Sequence, residues 1–387
     1  MTESYRAAYN AAFTPARYEA FQRLLAERCG VPIAFRCAET PCFFEAATLE
    51  AMITAGRELI VPLLEDADYL ARAAEAIPEA FRVPGTDSAP LFVQADFGLD
   101  ANLQPKLVEI QGFPSLYTFQ PTLAEAYRDA FALDATLGAY LEGGTAQSND
   151  AALMQAFCNG HDPHEVFLLE LDPQSQKTLP DFVLTQKRYG VRMLDAREVV
   201  KRGTKLYAPE GTQIKRVYNR VIVDEVIRKN ITLPFDFRDE LDLEWAGHPN
   251  WYFLLSKFSL PFLTHPSVPK TSFLSEVTAL PENLEDFVLK PLFSFAGLGV
   301  KVGPTKADIA EVVDPTQWIL QERVNFIPTI QTPEGPTKVE VRIMFVRIGE
   351  HYRALTTLLR LGRGKMLGVD HNRDATWIGA SAAFTVP

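Results

Sequence analysis

Residues 287–302 read F-V-L-K-P-L-F-S-F-A-G-L-G-V-K-V, a pattern that predicts two short strands joined by a glycine loop. The first strand ends on Lys290, and Pro291 stops its ladder because proline has no N–H group to donate. The loop that follows contains Gly297 and Gly299. A lysine beside such a loop suits a polyphosphate, because glycines let backbone N–H groups approach the oxygens closely. The alternative is a purely structural proline turn and hairpin loop.

Three common nucleotide-binding motifs are excluded. A dinucleotide fingerprint that starts at Gly297 requires glycine at position 302, where Val302 stands. The G-K pair at 364–365 is followed by methionine, so it does not form a P-loop. No protein-kinase glycine loop precedes Lys290. Any nucleotide site around Lys290 must therefore be of another kind.

The composition is that of a globular protein with two or three domains. The chain has 387 residues, of which 47% are hydrophobic and 22% are charged. The N-terminal residues lack the pattern of a signal peptide, and the longest apolar stretch, 251–263, is interrupted by Lys257 and Pro261. Its four cysteines are few and irregularly spaced, as in a reducing compartment. A cytoplasmic protein without membrane partners is expected.

The charge distribution favours a small anionic ligand. The net charge of −11 argues against nucleic acid as a partner. The segment from position 337 onward nevertheless contains more basic than acidic residues. A basic end on an acidic protein fits a nucleotide, although charges at strand edges that maintain solubility would give the same pattern.

The N-terminal region is predicted to be helical. Thr14 and Pro15 have the pattern of an N-cap and a first helical residue, and Gly30 is the expected stop. Further helices are predicted over 43–64 and 68–76. No chemistry is predicted for these elements, which are expected to serve packing.

A hairpin is predicted from position 91 onward. Because side chains alternate along a strand, Gln94 and Asp96 share one face of its first strand, and Glu109 and Gln111 share one face of its second. Glu109 and Gln111 stand among apolar neighbours, an unfavourable setting for an unpaired carboxylate. Mg²⁺ is typically held by one or two carboxylates together with substrate phosphates, so the hairpin is a candidate metal site. The alternative is a polar edge that faces solvent.

An α/β unit is predicted in the middle of the chain. Helical segments over 122–140 and 150–157 come first, and a strand begins at position 166. A helix over about 174–189 and a strand over 191–194 complete a βαβ-like unit.

Other candidate residues flank this unit. Arg216 and Arg220 could each bind a carboxylate through two hydrogen bonds, or could be ordinary surface arginines. Cys158, His161 and His164 have a zinc-like spacing without an obvious fourth ligand, so no metal site is predicted there.

The C-terminal third is predicted to contain further strands. The turn before Lys270 predicts that this residue begins a helix. A buried strand is predicted over 318–324, and its end can present backbone groups to the edge of an adenine. Two long antiparallel strands are predicted over 338–347 and 352–361.

The chain resembles the ATP-grasp superfamily and, within it, the circularly permuted branch that includes the synthetase domain of glutathionylspermidine synthase. V-L-K-P-L-F-S-F-A-G-L-G-V matches the phosphate lysine and loop, and W-I-L-Q-E-R-V matches the adenine hinge. In that branch the metal-binding strands precede the nucleotide lysines, and here D-F-G-L-D and L-V-E-I-Q-G-F-P-S come first.

The resemblance implies a fold of the α/β (α+β) class, namely an ATP-grasp fold with a Rossmann-like pre-ATP-grasp unit and N-terminal helices. The implied division places an N-terminal helical region at 1–90 and the metal-binding strands at 91–155. A pre-ATP-grasp-like α/β unit follows at 156–265, and the nucleotide-binding region occupies 266–387. The resemblance leaves the N-terminal helices unaccounted for.

The resemblance also implies roles for particular residues. Asp96, Glu109 and Gln111 would hold Mg²⁺, and Lys270 and Lys290 would contact the phosphates of ATP. The remaining implied roles are these: adenine contacts by Gln321 and Glu322, a nucleotide contact by Glu340, a flexible phosphate loop at Gly297 and Gly299, a phosphate contact by Arg360, and orientation of a substrate carboxylate by Arg220.

Two departures from the family pattern are visible. Gln111 stands where the family usually has asparagine, and Gln94 stands where an arginine is common. The expected function is an ATP-dependent ligase that joins a carboxylate to an amine, or to a thiol, through an acyl phosphate. The alternatives are a nucleotide-binding regulatory protein without ligase turnover, which the two departures motivate, and a small-molecule kinase.

Overall fold

The computed structural model describes residues 3–294, 297–364, 367 and 375–387, and these form a mixed α/β protein with several sheets. The helices are α1 (Glu3–Ala12), α2 (Pro15–Cys29), α3 (Ala46–Glu65), α4 (Ala67–Ala76), α5 (Phe119–Phe131), α6 (Ala146–Cys158), α7 (Leu179–Tyr189), α8 (Val223–Arg228), α9 (Trp251–Leu254) and α10 (Lys306–Ala310). None of these helices is both long and apolar enough to cross a membrane.

The strands are distributed among these helices along the chain. They are β1 (Cys42–Glu45), β2 (Phe92–Leu99), β3 (Pro105–Gln111), β4 (Val166–Glu170), β5 (Arg192–Asp195), β6 (Val200–Arg202), β7 (Lys205–Tyr207), β8 (Gln213–Ile214), β9 (Arg216–Asn219), β10 (Glu244–Ala246), β11 (Thr271–Phe273), β12 (Phe287–Pro291), β13 (Lys301–Val302), β14 (Trp318–Glu322), β15 (Lys338–Ile348), β16 (His351–Gly362), β17 (Gly379–Ser381) and β18 (Ala383–Val386).

A five-stranded antiparallel sheet in the order β17-β16-β15-β2-β3 carries the predicted hairpin. One of its faces is apolar and packs against α3, where the Phe345 ring closely approaches Gly56. The other face is covered at one end by α6, around Met344. Its opposite end carries the charged side chains described below. The sheet therefore has one core face and one face that is divided between packing and polar chemistry.

A four-stranded sheet in the order β11-β14-β12-β13 carries Lys290. Strand β14 lies between β11 and β12 and runs antiparallel to both. Lys290 pairs with Ile319, one of the buried residues of β14. The predicted strand over 318–324 and the predicted strand before Pro291 are both confirmed. The second strand of the loop motif begins at Lys301, one residue later than predicted.

A four-stranded parallel sheet in the order β10-β9-β4-β5 forms the predicted α/β unit. Strand β4, helix α7 and strand β5 confirm the βαβ unit, although α7 begins at Leu179 rather than near position 174. Strand β4 lies between β9 and β5 in the sheet. The chain therefore continues from β4 to β5 on one side and later forms β9 on the other side of β4. The carboxyl ends of β4 and β9 consequently lie where ligands bind in open parallel sheets.

The N-terminal prediction is partly wrong. Helix α2 has the predicted Thr14 cap, whose hydroxyl accepts from the backbone N–H of Arg17, and it ends at Gly30 with φ +75°. Residues 43–45, however, belong to strand β1, which pairs in parallel with β18 at the other end of the chain. A strand whose partner among the described residues is this distant leaves no local signal. The four-part domain division stays a prediction.

The prediction that Lys270 begins a helix is wrong. Lys270 precedes strand β11, and its carbonyl accepts a hydrogen bond from the backbone N–H of Glu322 at 2.8 Å. The proline-rich turn before Lys270 predicted the start of a helix, but the residues after Lys270 are extended because β11 pairs with β14. The helix predicted over 122–140 is also shorter, since α5 ends at Phe131.

Candidate active site

The polar residues predicted on the hairpin converge on the open end of the five-stranded sheet. The register pairs Gln94 with Gln111 and Asp96 with Glu109 across β2 and β3. On the other side of β2, strand β15 places Arg342 opposite Asp96. Because directly opposed residues project from the same face, all of these side chains share one surface.

Asp96 is the centre of this group and is fully buried. Arg342 donates to both of its carboxylate oxygens, from Nε at 2.5 Å and from Nη2 at 2.6 Å. Arg360 donates to the same carboxylate from its Nη2. Arg342 also donates from Nη1 to Oε1 of Gln94 at 3.0 Å, so one guanidinium joins the two predicted residues of β2. At position 94, where the resemblance expects an arginine, the glutamine is bonded to Arg342 on β15.

Glu109 is more loosely held than Asp96. Lys257 Nζ lies 3.6 Å from its Oε2, Arg342 Nη2 lies 3.7 Å from its Oε1, and Gln111 Nε2 donates to Oε1 at 3.4 Å. Burial by itself would raise the pKa of Glu109, but the positive charges of Lys257, Arg342, Arg360 and Lys290 together lower it to about 2. Glu109 is therefore an ionised carboxylate at neutral pH.

The predicted metal ligands do not form a ready three-ligand site. Both oxygens of Asp96 are engaged by arginine, and a metal at Asp96 would have to displace Arg342 or Arg360. Glu109 fits a cation better, because the contacts of its oxygens are long, and the hydrogen bond of the neighbouring Gln111 uses its amide nitrogen and not its oxygen. Among the residues that the structure describes, no group of three or more His, Cys, Asp or Glu side chains is arranged to hold a metal ion.

Lys290 links the two sheets at this site. Its side chain is buried, and Nζ donates to the carbonyl of Val108 on β3 at 3.0 Å and to Oε1 of Gln321 on β14 at 2.6 Å. Burial lowers the pKa of Lys290 to about 8, against the opposing effect of nearby Glu109. An ammonium group has three donors, so these two bonds leave one for a ligand.

Lys257 belongs to the site but was not predicted as a site residue. It lies in the 3₁₀ turn Lys257–Phe262, is buried, and donates from Nζ to the carbonyl of Ser294 at 2.5 Å. Ser294 begins the predicted phosphate loop, so Lys257 joins that loop to Glu109. A single lysine within the long apolar stretch over 251–263 was the signal available in the sequence.

Arg342 is the second residue that was not predicted. It lies two positions after Glu340 on the same strand, so the alternation of β15 places both side chains on the polar face. Its partner Asp96 is 246 residues away in sequence, and only the pairing of β15 with β2 brings the two together.

Glu340 and Arg360 complete the group. Arg360 forms ion pairs with both Glu340 and Asp96. Burial raises the pKa of Glu340, and Arg360 counteracts part of this effect. Burial would lower the pKa of Arg360, but Glu340, Asp96 and Glu109 raise it overall. The group therefore contains the carboxylates of Asp96, Glu109 and Glu340 and the cations of Lys257, Lys290, Arg342 and Arg360. This excess of cations favours an anionic ligand.

The predicted adenine hinge borders a separate cleft of about 440 Å³. Its lining includes Glu322 and Val324 at the end of β14 and Pro269 next to Lys270. The side chain of Gln321 instead points to Lys290. The exposed side chain of Lys270 makes no hydrogen bond or ion pair with the described residues of the charged group. The structure therefore brings together Lys290 and Gln321 but not Lys270.

The glycine loop is described only in part. Gly297 and Gly299 both adopt positive φ angles, of +74° and +77°, which favour glycine. Gly299 lies against Pro291, where an added Cβ would come within 3.2 Å of the proline ring. Phe295 and Ala296, in the same predicted loop, lie outside the described residues.

The two candidate arginines differ in their surroundings. Arg216 donates to the carbonyls of Phe157 and Ala156 at the end of α6, at 2.8 Å each, and pairs with Glu244, so its role is structural. Arg220 is buried and its guanidinium lies 4.6 Å from the centre of the Phe113 ring.

No protein-family model matches the chain, and a search of curated protein sequences finds no match.

Proposed function

We propose that the chain is an ATP-dependent ligase that joins a carboxylate to an amine, with the nucleotide phosphates held at the charged group. The observation that carries the proposal is the convergence of Lys257, Lys290, Arg342 and Arg360 on one buried surface between two sheets. The order of the motifs and the resemblance to the permuted ATP-grasp branch support the same assignment.

The side chains have distinct roles in this proposal. Lys290 would contact a phosphate through its third donor, and Lys257 would hold the glycine loop near the transferred group. Fixed cations stabilise the charge that develops as a carboxylate attacks the terminal phosphorus. Arg342 would keep Gln94 and Asp96 in position beneath the phosphates. The acyl phosphate formed would then be captured by an amine, with release of ADP and phosphate.

Magnesium is proposed as a partner of the nucleotide at this site. Mg²⁺ would neutralise the charge of the β- and γ-phosphates, and Glu109 and Gln111 are the residues that would hold it. Asp96 would support the site indirectly by fixing Arg342 and Arg360.

A nucleotide-binding regulator without turnover is the second candidate, and the surroundings of Asp96 favour it. A carboxylate whose two oxygens are both engaged by buried arginines is poorly prepared to coordinate a metal. Binding without turnover requires only the cations and not a complete metal site.

The test is a product analysis with matched variants. Purified protein is incubated with Mg-ATP and a pool of small metabolites, and products are identified by mass spectrometry. The ligase gives ADP and a new mass equal to two pool members minus water. Lys290→Ala abolishes this product, whereas Lys201→Ala, at an exposed ion pair with Asp239, retains it. A phosphorylated metabolite would indicate a kinase, and nucleotide binding without a product would favour the regulator.

A further inference from the structure

The side chain of Gln321 holds the ammonium of Lys290. Gln321 lies on β14, the strand between β11 and β12, and only 1% of the residue is exposed. The register places it opposite Val288 on β12, and Lys290 follows Val288 by two residues. Because side chains alternate along a strand, Gln321 and Lys290 project from the same face of the sheet. Oε1 of Gln321 accepts from Nζ of Lys290 at 2.6 Å, so Lys290 is fixed from within its own sheet.

The second contact of this ammonium comes from the five-stranded sheet. The register of β2 and β3 shifts between Asp96 and Phe97, which makes Val108 an extra residue on β3. Such a β-bulge leaves the extra residue outside the regular ladder. The carbonyl of Val108 accepts from Nζ of Lys290 at 3.0 Å. One backbone carbonyl and one side chain therefore set the position of the ammonium.

Both of these acceptors are neutral, and the charge of Lys290 is not paired. Lys290 forms no ion pair with the described residues. The carboxylates of the charged group pair with other cations, namely Asp96 and Glu340 with Arg360, and Glu109 with Lys257. An amide oxygen accepts a hydrogen bond without adding a negative charge. The full charge of the ammonium therefore remains available to an anion.

Other side chains at position 321 would act differently on Lys290. The carboxylate of a glutamate would also accept from Nζ, but its charge would neutralise the ammonium and repel a phosphate inside a buried site. A methionine would leave the charge unchanged but would release the ammonium from β14. The amide of Gln321 combines a fixed position with an unpaired charge.

The surroundings of Gln321 differ from the adenine contact that the resemblance implies. The cleft beside the hinge is lined by Glu322 and Val324 and not by Gln321. Oε1 of Gln321 is engaged by Lys290, and Nε2 is buried without a hydrogen-bond partner in the described part of the chain. These contacts connect Gln321 with the phosphate lysine and not with the base.

We propose that Gln321 is a positioning residue for a polyphosphate ligand, because its amide oxygen fixes the ammonium of Lys290 without neutralising it. Gln321 acts through Lys290 and does not itself contact the nucleotide. That the polyphosphate belongs to the substrate of a ligase rests on the proposed function, whereas the effect of Gln321 on phosphate binding does not require turnover.

The binding test compares a ligand without adenine with a nucleotide. The full chain is titrated by calorimetry with inorganic tripolyphosphate and with ATP, each in the presence of Mg²⁺. Gln321→Met and Gln321→Glu each weaken binding of both ligands at least tenfold and by the same factor for each ligand. Gln321→Glu binds more weakly than Gln321→Met because it also neutralises Lys290. A contact with adenine would instead weaken binding of ATP and leave tripolyphosphate unaffected.

A double-mutant cycle tests whether Gln321 acts through Lys290. In the Lys290→Met background, Gln321→Met causes no further loss of tripolyphosphate binding, because the ammonium that Gln321 positions is absent. A general disturbance of the fold would weaken binding in both backgrounds. Gln317→Met and Gln317→Glu make the same changes at an exposed glutamine immediately before β14 and leave binding unchanged. Every variant compared retains a cooperative unfolding transition.

The possible outcomes separate this inference from the proposed function. If tripolyphosphate binding falls as described but no ligase product forms from Mg-ATP, the role of Gln321 stands and the ligase proposal is wrong. If Lys290→Met weakens binding of tripolyphosphate but the Gln321 variants bind it like the wild type, the phosphate site stands and the positioning role is wrong. A wild type that does not bind tripolyphosphate overturns the positioning role, and one that binds neither ligand overturns the phosphate site as well.

Discussion

The charged group around Asp96 and the pair formed by Arg220 and Glu170 satisfy their buried charges in opposite ways. At Asp96, two guanidinium groups share one carboxylate, and their hydrogen bonds are made within the protein. At Arg220, two donors have no partner in the described part of the chain, and aromatic rings alone fix the group. The first region is a network closed on itself, whereas the second keeps a buried guanidinium in place through contacts with aromatic rings.

The sharpest test of this contrast removes one charge from each region. Asp96→Ala leaves the buried Arg342 without its carboxylate partner, a change that typically costs about 3–5 kcal/mol. Arg220→Gln removes a guanidinium that forms no ion pair with the described residues, and it is expected to change the free energy of unfolding by less than about 1 kcal/mol, or to stabilise the protein. Chemical denaturation of both variants measures the difference. Equal losses of stability would contradict the contrast.

The second prediction concerns Glu170 and pH. Its folded pKa of about 7 is above the ordinary value of 4.5, so the folded state binds more protons between these pH values. The free energy of unfolding therefore falls as pH rises from about 4.5 through 7, by about 3 kcal/mol for this group.

Glu170→Gln removes this contribution. The variant should show a flatter dependence of stability on pH between 5 and 8 and greater stability than the wild type at pH 8. Denaturation series at several pH values check both statements. Glu19→Gln, at an exposed carboxylate of α2 that pairs with Arg23, is the matched control and should keep the slope of the wild type. An unchanged slope in Glu170→Gln would show that burial does not raise the pKa of Glu170 as described.

The third prediction concerns Glu109, the least tightly held carboxylate of the charged group. Its folded pKa of about 2 is below the ordinary value of 4.5, so it contributes stability above pH 4.5 that is lost as pH falls through about 2. Lys257 is the largest single opposing charge. Lys257→Met should raise the pKa of Glu109 and reduce stability at pH 6 by about 1–2 kcal/mol.

Acid denaturation of Lys257→Met beside the wild type measures this effect. The loss of stability on acidification should begin at a higher pH in the variant. Lys306→Met, at an exposed residue of α10, serves as the control. If the acid transition of the variant coincided with that of the wild type, Lys257 would not lower the pKa of Glu109 and would not belong to the charged group.

The smallest effect is expected at the N-terminal cap. Thr14→Ala removes the side-chain acceptor for the N–H of Arg17 and should cost about 1 kcal/mol. The neighbouring exposed Ala16→Ser leaves the cap intact and should be neutral. Because the Thr14 cap acts on the first turn of α2, neither ligand binding nor the dependence of stability on pH should change.

Local patterns predicted the elements whose partners are near in sequence. Lys290 at the end of a short strand, the alternation of Gln94 with Asp96, and the hairpin between them and Glu109 follow from the spacing of side chains within one or two strands. Capping rules placed α2 for the same reason, because Thr14 and Gly30 act only on adjacent residues.

Residues whose roles depend on distant pairing escaped prediction. Arg342 reaches Asp96 only because β15 pairs with β2, and β1 forms only because β18 returns beside it. Lys257 acts through Ser294 and Glu109, which belong to two other elements. Lys270 looked like the start of a helix because its turn residues are typical of one, and the pairing of β11 with β14 overrode that signal.

Binding of Mg-ATP to Lys290→Met tests the central claim most directly. The substitution keeps the length of the side chain and removes the ammonium that bridges Val108 and Gln321. Calorimetric titration of the wild type, Lys290→Met and the control Lys201→Met compares them under identical salt. We expect the wild type and the control to bind alike, and Lys290→Met to bind at least tenfold more weakly while it retains a cooperative unfolding transition. Equal binding by all three proteins, or no binding by the wild type, would contradict the assignment of the phosphates to this site.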